Sequence, residues 1–190
     1  MRRTLLTLLL IVPLGAALAQ APGREAAAEA RRAELERLFA ALADAPDEAG
    51  GALVETRIRA LWQEGVTPAV GLLVRRGLRN LQGRVAEEAL EDFDAAITLE
   101  PRAAELWHLR AQAYALGGDP AAAATDLREA LRLEPRHFPA LITLAGIQDQ
   151  NGDAAGALRS FAAALVIHPR LRGGTTRLRE LRRKAEGDDT

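Results

Sequence analysis

AEEALEDFDAAITLEP at residues 86–101 returns as PAAAATDLREALRLEP at 120–135 and as AAGALRSFAAALVIHP at 154–169. Each copy begins 34 residues after the one before it, without drift. In register, Ala89, Ala123 and Ala157 coincide, as do Phe93, Leu127 and Phe161. So do Ala96, Ala130 and Ala164, and then Pro101, Pro135 and Pro169. The first three sets stand four and then three residues apart, which lines them along one stripe of an α-helix. The alanines let two helices approach closely, the Phe or Leu fills the gap between them, and the proline stops the helix and fixes the next turn.

A second helical stretch precedes each copy: LLVRRGLRNLQ (72–82), ELWHLRAQAYALG (105–117) and FPALITLAGIQDQNG (138–152). Here Leu73, Trp107 and Leu141 recur as the large residue and Gly77, Ala111 and Ala145 as the small one. Asp119 and Asp153 follow the turns as N-caps of the second helix, and Pro120 suits its first position. The unit is helix, turn, helix, short link, and it repeats without interruption.

With Trp107, Leu109 and Tyr114 on its first helix and Ala123, Ala130 and Pro135 on its second, the middle unit resembles the tetratricopeptide repeat (TPR). The first and third units depart from that pattern at Asn80 and Gln148, where an aromatic is expected. The resemblance implies an all-α superhelix of stacked antiparallel hairpins with repeats at about 68–101, 102–135 and 136–169. The whole chain also resembles small exported proteins of that family from GC-rich proteobacteria.

The regions around the repeats differ in character. Residues 1–19, MRRTLLTLLLIVPLGAALA, have the basic start, short apolar stretch and small-x-small end of a cleaved secretory leader, with cleavage expected after Ala19. That layout predicts a periplasmic protein with no stable membrane insertion after cleavage. Residues 20–66 read as a linker (20–25) followed by a helical hairpin, with Leu35, Leu38, Phe39 and Leu42 on one helix and Val54, Ile58, Leu61 and Trp62 on the other. Two placements stay open for this hairpin: a cap or degenerate repeat ahead of the first unit, or a cover folded across the groove of the stack. Residues 170–190 predict a basic terminal capping helix and tail, whose polar outer face suits the end of a solenoid.

Charge and composition exclude several functions. The 190 residues carry 25 basic and 26 acidic side chains, and a leader holding Arg2, Arg3 and no acid takes the net charge from −1 to −3 on removal. This near balance does not advertise nucleic acid as a partner. With no Cys, disulfides and metal thiolates are excluded. Ser160 is the single serine, and the three histidines, His108, His137 and His168, show no i, i+4 pair. His137 and His168 adjoin link prolines and are expected to be exposed, and His108 is expected to be a solvated groove residue. No catalytic, metal or cofactor site is predicted.

By the resemblance, the first helices of the units line a concave wall. Its partner-facing residues would be Val74, Leu78 and Leu81; Glu105, His108, Gln112 and Ala115; and Ile142, Gly146 and Asp149. This mixture suits a protein or peptide partner presenting a short helix or extended segment with an aliphatic anchor, Asp149 adding a negative charge. Chaperone-binding members of the family hold a carboxylate with Lys, Asn and Arg, but the matching places here are Val74, Leu78, Leu109, Pro139 and Thr143, so a chaperone tail is not expected. The other class of function left open is a structural protein that self-associates into homo-oligomers through its ends or its basic terminal helix.

Overall fold

A computed structural model describes residues 22–187; the expected leader, its cleavage site and Asp188-Asp189 lie outside them. Among the described residues there are nine helices and no strand. An N-terminal hairpin, α1 (Pro22–Ala43) and α2 (Glu48–Glu64), precedes three helix pairs. These are α3 (Pro68–Gln82) with α4 (Ala86–Leu99), α5 (Ala104–Leu116) with α6 (Pro120–Leu133), and α7 (Phe138–Gln150) with α8 (Ala154–Ile167). The last helix, α9 (Gly174–Glu186), packs on α8 and buries Leu181. Helix α1 begins inside the stretch read as a linker, since residues 22–25 are already helical.

The recurring residues form the core. Ala89, Phe93, Ala96, Ala123, Leu127, Ala130, Ala157 and Ala164 are fully buried, and Phe161 nearly so. Gly77 shows why its position stays small: a Cβ there would meet the Phe93 ring at 2.6 Å. Trp107 and Tyr114 are half-buried against the middle unit's core, and Trp107 Nε1 donates to the Pro101 carbonyl at 2.8 Å. All three second helices end two residues before the link prolines Pro101, Pro135 and Pro169, which are exposed.

The turns inside the units repeat as well. The Asp119 and Asp153 carboxylates accept from the backbone N–H groups of Ala122 and Gly156, at 2.9 and 2.8 Å. Gly118 and Gly152 take the left-handed conformation just before those caps, with φ of 83° and 81°. The first unit places Arg84 at the same position with φ 60°, which a side chain makes costly.

A further pair recurs that residue-by-residue motif reading passed over. Arg110 Nε and Nη2 clasp the buried Asp126 carboxylate at 2.7 and 2.8 Å. Arg76 and Asp92, 34 residues earlier, form the same pair, and Asn80 Nδ2 donates to Asp92 Oδ2 at 3.2 Å. Asn80 thus departs from the family pattern to serve a buried carboxylate. The third unit puts Leu144 and Ser160 at those places, and there the Ser160 hydroxyl donates to Gln148 Oε1 at 2.6 Å.

Candidate functional site

The hairpin does not cap the first unit, and it covers the groove only in part: of Val74, Leu78, Leu81 and Ile142, Ile142 alone lies under it. It turns away from α3 and lies along the row of links that joins the units. Phe39, Leu42 and Ile58 share a core with Phe138 and Ala164, and Leu35, Val54, Trp62, Leu141 and Ile142 pack against it. The hairpin engages the second and third links, and the connector after it engages the first. Thr67 N donates to Glu100 Oε1 at 2.7 Å, Trp62 stacks on the His137 ring at 4.3 Å, and Glu55 lies 3.2 Å from His168 Nε2. Arg136 closes the seam from outside, with bidentate contacts to Glu36 at 2.7 and 2.8 Å and its guanidinium over the Phe39 ring.

This placement corrects the expectation for all three histidines. His137 and His168 are not exposed turn residues: they are 0% and 1% exposed. His108, expected to be solvated, is 2% exposed. His137 and His168 contact α2 directly, whereas His108 lies one ring further in, its centroid 5.0 Å from that of His137. The sequence holds a signal in retrospect, because His137 stands directly before the first residue of α7. Its Nδ1 accepts from the Ala140 backbone N–H at 3.2 Å, so the imidazole caps α7.

That cap fixes the chemistry of a buried cluster. With Nδ1 accepting, the His137 proton resides on Nε2, which donates to Glu105 Oε2 at 2.9 Å. His108 Nδ1 lies 3.3 Å from the same oxygen, while its Nε2 accepts from the Gln112 amide at 2.9 Å. Burial by itself would raise the Glu105 pKa, but the hydrogen bonds from His108 and His137 outweigh it and hold the carboxyl well below the ordinary carboxylate range. Burial also lowers the His108 pKa, against the opposing pull of Glu105. The donor atoms of Glu105, His108 and His137 lie within 4.8 Å of one another, as metal ligands would. A metal on His137 Nε2 would need the proton on Nδ1, where the Ala140 N–H already points. The residues therefore fit a carboxylate–imidazole network and not a metal site.

The predicted wall residues divide along the same line. Val74, Glu105 and His108 are buried and take no part in the open wall. Ile142 is half-buried under the hairpin, and Leu78 and Leu81 pack on the first unit's core. Beyond the hairpin the wall is uncovered: Gln112 is half-buried, Ala115 is exposed, and nothing lies within 4 Å of where a Gly146 Cβ would be. Asp149 contributes no free charge, because Arg177 and Lys184 of α9 both reach its carboxylate at 2.8 Å. Part of the basic terminal cluster is thereby spent on closing the stack.

The comparisons with known proteins agree with this architecture. Residues 104–137 match the model of the tetratricopeptide repeat family. A TPR repeat-containing protein of Rhizobium etli is 27% identical over 164 residues, 86% of this chain and 80% of its own. Among solved structures, the first TPR domain of Spaghetti (RPAP3) bound to an HSP90 peptide superposes with a TM-score of 0.60 at 18% identity, covering 63% of this chain and 97% of that one. The TPR2B domain of yeast Sti1 in a pHsp70 complex gives 0.57 at 21% identity, covering 63% and 98%. The 34-residue period, the buried alanine–aromatic stripe and the stacked hairpins give the chain the fold of these tetratricopeptide-repeat domains, and residues 104–137 match the repeat itself.

Proposed function

We propose that the chain is a non-catalytic interaction module that acts in the periplasm and holds a segment of a partner protein against the uncovered part of its concave wall. The exported location rests on the leader-like residues 1–19. No described helix is long and apolar enough to cross a membrane, so nothing in the described part competes with that reading. The observation that carries the binding role is the open wall itself: Ala115 is exposed, and nothing lies within 4 Å of where a Gly146 Cβ would be. The neighbouring TPR domains with bound HSP90 peptide and pHsp70 show the kind of ligand such a wall can take. Their chaperone tails are not the partner proposed here, because Val74, Leu78, Leu109, Pro139 and Thr143 supply no cationic clamp.

The absence of cysteine makes the test clean. A photocrosslinker on Ala115→Cys should capture a discrete partner from a periplasmic extract. The same label on Arg172→Cys, in the α8–α9 link, should capture none. Equal capture from both positions would remove the groove from the account. A second reading, end-to-end self-association, draws on Leu72, which is 59% exposed on the helix that opens the stack. Concentration-dependent sedimentation abolished by Leu72→Asp would favour it.

A further inference from the structure

A cavity of about 230 Å³ lies between the hairpin and the repeats, apart from the open wall. We propose that it binds a free apolar α-amino acid as its zwitterion. The inference goes beyond the partner-binding reading and does not depend on it. The cavity is bounded by α1, α2, the α2–α3 connector, the α4–α5 link, the start of α5 and the end of α6. Six elements of such different origin meeting around one void is the setting in which small-molecule sites form.

Three features of the lining specify the ligand. Leu35, Leu61, Trp62, Val66 and Leu133 supply an apolar surface. Since a dry void of about 150 Å³ holds a benzene molecule, this one has room for a leucine-sized body. Glu105 supplies a buried, ionised carboxylate at the same wall. Its Oε2 receives both imidazoles, while Oε1 accepts no hydrogen bond among the described residues and is left for a cationic donor. Arg31 and Arg102 supply the opposite sign. Neither pairs with a carboxylate among the described residues, and the Arg31 guanidinium lies beside Gly65, where the chain turns out of α2. The remaining acid, Glu134, is already engaged, accepting from the Arg136 backbone N–H at 3.0 Å and its side chain at 3.4 Å.

A buried anion with a spare lone pair asks for an ammonium, and two unpaired guanidinia ask for a carboxylate. An apolar chamber of this volume asks for a compact hydrocarbon. A free α-amino acid carries all three on one small frame. A monocarboxylate would leave Glu105 Oε1 unmet, and a simple amine would leave both arginines unmet.

Calorimetric titration of the full mature chain with L-leucine, N-acetyl-L-leucine and L-leucinamide tests this directly. L-Leucine should bind at one site per chain. Each capped analogue, having lost one charge, should bind about tenfold more weakly or worse. Arg102→Gln alters an exposed side chain and should weaken leucine about fivefold or more with an unchanged melting temperature. Glu105→Gln should abolish leucinamide binding altogether. No saturable heat with leucine up to about 10 mM, or equal binding of all three compounds, would overturn the proposal.

Discussion

Inside the first unit, Phe93 packs on Gly77 and alanines line the approach; under the hairpin, Trp62 packs on His137, and Glu105 and Glu55 meet imidazoles. The first contact is held by shape and the second by polar pairing, and they should fail in different ways. A close-packed apolar core loses stability whenever its volume changes. A seam of buried polar groups holds only while each group keeps its partner and its protonation state. One region should therefore report on size and the other on acidity.

The largest effect is expected from Phe93→Ala, which empties the fully buried centre of the first unit. It should cost about 3–5 kcal/mol in denaturant unfolding, enough to lose the cooperative transition at physiological temperature. Ala123→Leu adds volume where there is none to spare and should cost about 1–3 kcal/mol on the same assay. An unchanged unfolding curve for either variant would remove the close-approach account of the repeat.

Trp62→Ala should act on the other region. Amide exchange should accelerate across residues 22–64 by a factor equivalent to about 2 kcal/mol while α4 to α8 stay protected, because the seam opens as a local unit. Acid should do the same more gently. Burial lowers the His108 pKa from 6.5, so the open state takes up the proton more readily, and docking weakens as pH falls below that value. Glu105 is also lowered, from 4.5, so its share is complete above that pH and is lost only in stronger acid. Exchange in α2 at pH 8 and pH 5 measures the first step, and His108→Asn should flatten it. The smallest expected change is a gain: Arg84→Gly relieves the left-handed residue in the first turn and should raise stability by about 1 kcal/mol.

Legibility follows the same division. The repeat was readable because each buried position is duplicated 34 residues away, so Ala123 vouches for Ala89 and Ala157. The Arg76–Asp92 and Arg110–Asp126 pairs carried the same period and could have been found by extending the alignment to charged residues. The hairpin's stripe was visible from Leu35 to Leu42, but its destination was not, since the surfaces it covers are contributed by α7 and α8, far along the chain. For that reason the histidines were misjudged: a link residue looks solvated until another element lies on top of it. Asp149 was misjudged in the same way, because its partners Arg177 and Lys184 lie 28 and 35 residues downstream on α9.

The fastening of α2 to the second and third links has a mechanical meaning. A solenoid held only by neighbour-to-neighbour packing flexes like a spring, its pitch free to breathe. A rod clamped at His137 and His168 acts as a splint, setting the curvature before any ligand arrives. A binding surface stiffened in advance loses less conformational freedom on capture, so tightness can come from rigidity and not from a larger footprint.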